Sequence, residues 1–296
     1  MQVLIGKYYT QNNKRLLNGI LMGTSDSKIQ ITEIDGLEAA PFRNNNGDWS
    51  GKDGGYMSAQ LFSAREITIQ GFYHDAEYGC GENKFSAREE LINFLKIRTL
   101  FPIFFQTISG VVYYTEGYVT AISAPYTNTK YGDFQVTFYC PDADLKLAEQ
   151  FGDEDSVVKR AIIYRDILSG GHLVPETVPV LFEQGYATSV LDYKGSAFCY
   201  PKIILTGPFT SDIKIQNYNL NRTFILKKDI AEGSVVTIDM NNRQALENGK
   251  SISLFIDENS EWWYLQPGYN KIYLMTGDDD DNVSCNIEWT ENYQGI

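Results

Sequence analysis

Few side chains in this sequence are of the types that carry out catalysis. Histidine, the usual general acid or base near neutral pH, occurs only at His74 and His172. There is no Gly-x-Ser-x-Gly nucleophile elbow and no His-Glu-x-x-His metal-binding helix. The four cysteines lie far apart and form none of the closely spaced pairs that bind zinc. We therefore expect no catalytic residues, no metal site, no cofactor, and free thiols.

Three short segments contain residue types that bind ligands in other proteins. Residues 79–84 are glycine-rich but lack the endings of the nucleotide-binding loops, so a turn before a helix is the better interpretation. Residues 278–281 are four consecutive aspartates, which predict a solvated hairpin tip, with calcium binding as the alternative. In the strand predicted over 261–265, Trp262 and Tyr264 share one face and Trp263 takes the other, which favours core packing over stacking on a sugar.

The elements that would position these residues are mostly strands in the first half of the chain. Apolar and polar residues alternate over 29–34, 66–70 and 131–139, and residues 102–106 and 111–114 predict a hairpin around Ser109-Gly110. One helix is predicted. It begins at Ser86 with a capping box, buries Leu91, Ile92, Leu95 and Leu100, and ends before Pro102.

The second half is predicted to begin with a helix and to continue as strands. Residues 142–168 place Val157, Val158, Ala161 and Ile162 at helical spacing after an acidic start. Short strands are then predicted over 197–200, 202–206, 211–216, 223–226, 234–239, 251–257, 261–265 and 271–275. Strands this short, at about 8–12-residue spacing, are typical of a β-sandwich.

Length and charge indicate a chain of about two domains, since domains usually hold about 100–200 residues. The first 141 residues carry 12 Lys and Arg against 14 Asp and Glu, whereas the remainder carries 13 against 24. This change predicts domains at 1–141 and 142–296. Neither half is basic, which disfavours tight binding of nucleic acid. No apolar run is long enough to predict a membrane anchor.

Several motifs resemble those of siphophage distal tail proteins. In the first half they are Leu17-Asn18-Gly19-Ile20, Asp53-Gly54-Gly55-Tyr56, Ala64-Arg65-Glu66-Ile67-Thr68-Ile69-Gln70-Gly71, and the helix entry at 83–91. In the second half they are Tyr200-Pro201-Lys202-Ile203, Gly233-Ser234-Val235-Val236-Thr237-Ile238-Asp239, and the tryptophan-containing run at 260–272. The resemblance covers most of the chain except residues 142–190.

The resemblance implies a mainly β fold. An N-terminal, tail-tube-like domain with one packed helix would form the ring, and a galectin-like β-sandwich would lie at its periphery. It also implies a structural, non-enzymatic hub of the tail tip in the virion. A hexameric ring of this chain would join the tail-tube protein to the tail-tip protein and anchor receptor-binding proteins. DNA would pass through its lumen without specific binding.

The alternative function is a carbohydrate-binding adhesin that acts through the C-terminal sandwich. The sugar-contacting run of galectins is missing here, so the sandwich alone does not imply sugar binding.

A long polar segment at 43–56 is the candidate contact between neighbouring subunits. It is dense in Asn and Gly, and a polar loop of this length in a compact domain is usually functional or disordered. We expect it to pair with a sheet edge of the next subunit. The candidate interface residues are Asn44, Asn45, Asn46, Gly47, Asp48, Trp49, Gly54 and Gly55. Residues 142–190 are the candidate arm for receptor-binding proteins.

Overall fold

A computed structural model describes residues 1–11, 14–25, 27–74, 87–126, 131–164, 187–209, 212–276 and 284–296. The chain divides into two compact units. Unit 1 comprises Met1–Val157 and Asn292–Ile296, and unit 2 comprises Val158–Glu291. The units thus divide after Val157 rather than at residue 142, where the charge changes. The final residues return to unit 1.

Unit 1 is built on one large antiparallel sheet. Its elements are β1 (Gln2–Gln11), β2 (Lys14–Met22), β3 (Ile29–Asp35), β4 (Phe42–Asp48), β5 (Gly55–Phe62), β6 (Arg65–His74), α1 (Ala87–Phe94), β7 (Leu100–Gln106), β8 (Val112–Ser123), β9 (Tyr131–Cys140) and β10 (Leu145–Ala148). The main sheet has the order β2-β1-β7-β8-β9-β6-β3, with β10 paired to β8. Strands β4 and β5 form a separate two-stranded sheet.

The core of unit 1 lies between the main sheet and α1. Alternate residues of the strands point to this side because side chains alternate along a strand. The buried side chains here include Val3, Ile5, Ile67, Ile69, Ile103, Phe105, Val136 and Phe138, with Ala87, Leu91 and Leu95 from the helix segment. Of the four side chains predicted to be buried by this helix, Leu91 and Leu95 are buried, whereas Ile92 and Leu100 are exposed, so the prediction is only half right.

The opposite side of β1, β7 and β8 is covered by the segment that follows β9. Leu4, Phe104 and Tyr114 point to this side and are buried with Ala148 and Val157. Because the sheet is apolar on both sides at this position, the segment up to Val157 packs as part of unit 1. This packing explains why the boundary lies after the change in charge.

Unit 2 contains the remaining strands. They are β11 (Val158–Tyr164), β12 (Ala187–Tyr193), β13 (Lys202–Thr206), β14 (Ile213–Asn217), β15 (Arg222–Leu226), β16 (Val235–Asp239), β17 (Gln244–Glu247), β18 (Lys250–Ser251), β19 (Gly268–Met275) and β20 (Ser284–Thr290). Two sheets result, with the orders β11-β20-β13-β16-β17-β18 and β12-β19-β14-β15.

The two sheets of unit 2 enclose a single apolar core. Side chains such as Ile203, Leu205, Val236 and Ile287 from one sheet are fully buried with Ile213, Ile215, Phe224 and Leu274 from the other. Two sheets whose inner faces share one core form a β-sandwich. With unit 1, this confirms the mainly β fold class predicted from the sequence.

The C-terminal residues are fixed to unit 1 by pairing and by one buried arginine. Strand β21 (Asn292–Tyr293) pairs with β10. The guanidinium of Arg65, 1% exposed, donates to the carbonyl oxygens of Gly36 and Glu38 at 2.8 Å, Ala143 at 2.8–2.9 Å and Gln294 at 2.6 Å. Arg65 thereby joins three segments that are distant in the sequence.

The helix predicted over 142–168 is wrong. The described part of this range forms β10, a 3₁₀ turn at Glu154–Val157, and β11. The β-branched Val158, Ile162 and Ile163 suit a strand, and β20 supplies the pairing partner. Tertiary pairing therefore overrides the helical spacing.

The helix of unit 1 is shorter than predicted. It ends at Phe94, and both Leu100 and Pro102 belong to β7 instead. Arg98 adopts a positive φ of 62°, at which an α-helix cannot continue. Ser86, the first residue of the predicted capping box, lies outside the described residues.

Most of the short strands predicted for unit 2 are confirmed, but three are wrong. Residues 197–200 make only an isolated bridge, Cys199 to Leu265, and residues 261–265 make no strand beyond it. Within 251–257, Ser253–Phe255 forms a 3₁₀ turn. Alternation of burial nevertheless holds over 261–265, because Trp263 and Leu265 are buried while Trp262 and Tyr264 are half-buried.

Candidate functional site: an exposed hairpin and a polar sheet face

The candidate interface segment is a β-hairpin rather than the predicted loop. Strands β4 and β5 pair along their whole length, from Phe42 opposite Phe62 to Asp48 opposite Gly55, with a bulge between Asn45 and Asn46. The backbone N–H of Ser63 donates to the carbonyl of Pro41 at 2.7 Å and closes the base of the hairpin. We call residues 42–62 the arm.

The arm is exposed on both faces. Every residue of β4 and β5 is exposed except Gly47 and Phe62, which are half-buried. Its large apolar side chains are strongly exposed: Phe42 53%, Trp49 46%, Tyr56 47%, Met57 57% and Leu61 57%. Tyr56 and Met57 are consecutive in β5 and therefore lie on opposite faces, so both faces of the arm carry exposed apolar side chains of the kind found at protein interfaces.

The tip of the arm is ordered by contacts around Trp49. Its ring lies 5.1 Å from that of Tyr56, and its Nε1 donates to the carbonyl of Gly55 at 3.1 Å. The ammonium of Lys52 lies 4.4 Å from the same ring. A Cβ atom at Gly47 would lie 3.0–3.2 Å from the Tyr56 side chain, so the Tyr56 ring packs closely over the backbone of β4 at this position.

The structure brings all the sequence-predicted interface residues into this one element. Asn44, Asn45 and Asn46 lie opposite Gln60, Ala59 and Met57. Gly47, Asp48, Trp49, Gly54 and Gly55 form the tip. The sequence prediction did not include Met57 and Leu61 of the returning strand. Their signal is the set of apolar residues between Gly55 and Phe62, which is interrupted only by Ser58 and Gln60.

A second surface of unit 1 is the uncovered face of the main sheet. It is formed by the outward residues of β3, β6, β9 and the end of β8, which are not covered by the segment up to Val157. The outward side chains are Glu66, Thr68, Gln70, Phe72 and His74 on β6, and Tyr131, Asp133, Gln135, Thr137 and Tyr139 on β9. We call this surface the polar face.

With histidine counted as neutral, the charge on the polar face is entirely negative. Its charged residues are Glu33, Asp35, Glu66 and Asp133, and none of the outward residues of these described strands is Lys or Arg. A depression of about 330 Å³ opens between Gln70, Asp133 and Gln135.

The tryptophan segment is mainly part of the core. Trp263 is fully buried and its Nε1 donates to the carbonyl of Ile215 at 3.2 Å. The ring of Trp262 lies 4.9 Å from that of the buried Phe224. The predicted division of this segment into two faces is confirmed, and its buried ring cannot stack on a sugar.

The remaining candidate ligand sites differ in how much of them is described. Residues 79–84 and 278–281 lie outside the described residues, as do His172 and Cys80. Cys140, Cys199 and Cys285 are buried and take part in no disulfide. Burial raises the pKa of the Cys285 thiol to about 12, so this thiol stays protonated at neutral pH.

Within the part of the chain that is described, no three His, Cys, Asp or Glu side chains are grouped so that they could hold a metal ion. No described helix has the length and apolar character needed to cross a membrane.

Residues 194–293 match the family model described as the Siphovirus-type tail component, C-terminal domain. The resemblance to siphophage distal tail proteins is confirmed. No curated protein matches the sequence significantly.

Solved structures resemble the chain over nearly its full length. The crystal structure of the SPP1 Dit (gp 19.1) protein, described as a paradigm of the hub adsorption apparatus in phages that infect Gram-positive bacteria, has a TM-score of 0.63 at 14% identity and covers 98% of both chains. A chain of the phage P2 baseplate in its activated conformation with Ca has a TM-score of 0.44 at 10% identity, covering 97% of both chains. The chain therefore shares the fold of the SPP1 protein.

Proposed function

We propose that this chain is the structural hub of a siphophage tail tip, located in the virion at the distal end of the tail. Six copies form a ring that joins the tail-tube protein to the tail-tip protein and lets DNA pass through its lumen. The match of residues 194–293 to a tail component domain, and the shared fold of a hub protein, support a structural rather than a catalytic role.

The exposed arm is the observation that carries the ring proposal. Five large apolar side chains on the arm are about half exposed or more. An apolar surface of this kind is stabilised when another protein surface covers it. In a ring of identical subunits each copy offers one surface and receives a different one from its neighbour. The arm is the surface that each copy offers to its neighbour. Its free strand edges can pair with the edge of a neighbouring sheet.

The polar face suits the lining of the lumen. DNA is held mainly through Lys and Arg that neutralise its phosphates and release counterions. A face whose charges are all carboxylates repels phosphates, and its amides and hydroxyls keep it wet. Turned towards the lumen, it would let a duplex slide without being gripped.

Receptor-binding proteins are the remaining proposed partners. The sequence predicts an anchor for receptor-binding proteins in residues 142–190. Within this range, residues 145–148 form a strand of unit 1 and residues 158–164 form a strand of unit 2. We therefore place the proposed anchor for receptor-binding proteins in residues 165–186, which lie outside the described residues.

The ring proposal is tested by removing the arm. Residues 44–60 are replaced by an Asn-Gly turn, which joins paired strands without strain and keeps the pair formed by Arg43 and Leu61. We expect the variant to fold with an unchanged far-UV circular dichroism spectrum. Light scattering after gel filtration should find monomers at concentrations at which the natural chain forms rings.

The matched control is Leu254→Ser, which removes the most exposed large apolar side chain of the described part of unit 2. It should leave the rings intact. Rings that persist without the arm would rule out the arm as the contact. A natural chain that is monomeric at every concentration, and also when mixed with tail-tube protein, would rule out the ring itself.

A further inference from the structure

The outer face of the four-stranded sheet in unit 2 carries an aromatic and basic patch. The alternate residues of β14 and β19 that do not enter the core point to this face, among them Lys214, Gln216, Lys271 and Tyr273. Tyr218 follows β14 and is 61% exposed, and Tyr269 at the start of β19 is 69% exposed. We call these six residues the tyrosine patch.

The patch has a defined local geometry. The rings of Tyr218 and Tyr273 lie 5.6 Å apart at an interplanar angle of 75°, so that they meet edge to face. The ammonium of Lys271 lies 4.9 Å from the Tyr273 ring and 5.9 Å from the Tyr218 ring. Gln216 lies directly opposite Tyr273 in the neighbouring strand. A cation and an amide are therefore placed beside two aromatic rings.

The charge of the patch is opposite to that of the unit that carries it. Unit 2 contains 12 Lys and Arg against 18 Asp and Glu. The outward residues of the four strands, in contrast, include Lys214 and Lys271 but only one carboxylate, Asp192 on β12. A basic patch in an acidic unit complements an anionic ligand.

Aromatic rings combined with amide and ammonium donors match the chemistry of a saccharide. The C–H groups of a sugar ring can pack on tyrosine, while Gln216 and Lys271 can donate to its hydroxyl and carboxylate oxygens. The hydrogen bond with Tyr273 raises the pKa of the Lys271 ammonium, which keeps its positive charge at neutral pH.

We propose that the tyrosine patch binds an anionic saccharide, such as an acidic polymer of a bacterial surface. The ligand packs on the Tyr218 and Tyr273 rings, and its negative charges pair with Lys271 and Lys214. This site is distinct from the tryptophan segment, and it does not rest on ring assembly.

The test uses calorimetric titration of the full chain at low ionic strength with a short oligogalacturonate. A neutral malto-oligosaccharide of the same length and a poly-aspartate peptide serve as comparison ligands. We expect only the oligogalacturonate to bind, with an affinity that falls as salt is added because exposed charges are screened. Lys271→Gln should weaken binding about fivefold, the effect of losing about 1 kcal/mol of exposed ion pairing.

Variants distinguish the patch from general electrostatic attraction. Tyr218→Ala should also weaken binding, Lys271→Arg should restore it, and Lys250→Gln, which removes an exposed lysine from the other sheet, should leave it unchanged. Absence of oligogalacturonate binding would overturn the proposal. A loss of affinity in Lys250→Gln as large as that in Lys271→Gln would also overturn it. Equal binding of the malto-oligosaccharide would overturn the anionic specificity, and equal binding of poly-aspartate would assign the patch to an acidic protein instead.

Discussion

At the scale of single residues, Arg65 links separate segments of unit 1 through hydrogen bonds. Its five donor contacts all go to backbone carbonyls rather than to a carboxylate. Burial lowers the pKa of this guanidinium, which nevertheless stays charged because the ordinary arginine pKa is so high. The planar fork of arginine reaches carbonyls from three segments at once, which a lysine cannot do.

We expect Arg65→Lys to destabilise the protein by about 3 kcal/mol, because several buried carbonyls lose a charged donor. Urea denaturation followed by circular dichroism measures this loss. The C-terminal residues should also become sensitive to carboxypeptidase, since Gln294 loses its contact. The control Arg160→Lys affects an exposed ion pair with Glu288 and should cost less than about 1 kcal/mol. Equal losses in both variants would contradict this role.

Asp144, close to Arg65, should make stability depend on pH. Burial raises its pKa to about 6, and Asp142 adds to the shift, while Arg65 and Lys146 oppose it. The folded state therefore binds a proton more tightly than the unfolded state does. This contribution to stability is present below the unfolded pKa and is lost as the pH rises through about 6.

The measurement is the free energy of unfolding from about pH 3 to 8, a window that spans the pKa of this carboxyl in both the unfolded and the folded state. The natural chain should lose stability relative to Asp144→Asn as the pH rises through this range, because the variant has no proton to release. A constant difference between the two chains would show that this carboxyl does not titrate in that window.

At the scale of elements, the arm shows how a weak sequence pattern can still form a regular hairpin. Asn and Gly are poor strand formers, and the segment therefore predicts a loop. In the structure the apolar and aromatic residues of β5 provide the strand character, and β4 pairs with them across a bulge at Asn45. A pair of strands that is exposed on both faces has no core side to favour it, so its amphipathic signal is weak.

The polar face leads to a prediction about DNA. Gln70→Lys combined with Gln135→Lys places two cations on neighbouring strands, since these residues lie directly opposite each other. We expect rings of this variant to bind duplex DNA nonspecifically, with an affinity that decreases steeply as salt is added. Fluorescence anisotropy of labelled DNA, compared with the natural chain, measures the change.

The control for net charge places the same two lysines at Ser251 and Ser253 of unit 2. It should bind DNA less tightly than the variant of the polar face. If the two variants bind equally well, the polar face is no more accessible to DNA than an ordinary surface.

At the scale of the whole molecule, unit 2 is inserted into unit 1. The chain enters it at Val158 and leaves after Glu291, and Val158 lies opposite Thr290 in the paired strands β11 and β20. Paired residues are only about 5 Å apart, so the two ends of unit 2 lie side by side. Unit 1 can therefore be closed without it.

We expect a chain in which a short Gly-Ser linker joins Val157 to Asn292 to fold on its own. Strand β21 and the contacts of Arg65 are then preserved, and unit 1 keeps its core around α1. A cooperative thermal transition and an unchanged strand signal in circular dichroism are the expected results. A molten, non-cooperative fragment would show that unit 1 requires unit 2, in contradiction to their separate cores.

The sequence by itself determined the mainly β class, five of the ten described strands of unit 2, the burial of Leu91 and Leu95, and the choice of the arm as an unusual segment. These follow from alternation, spacing and composition, which act over a few residues. Tertiary structure alone decided the strand at 158–164, the helix end at Phe94, and the division after Val157. In these cases packing against residues distant in the sequence outweighed the local preference. Examples are the pairing of β11 with β20 and the apolar side of β7 that faces away from α1.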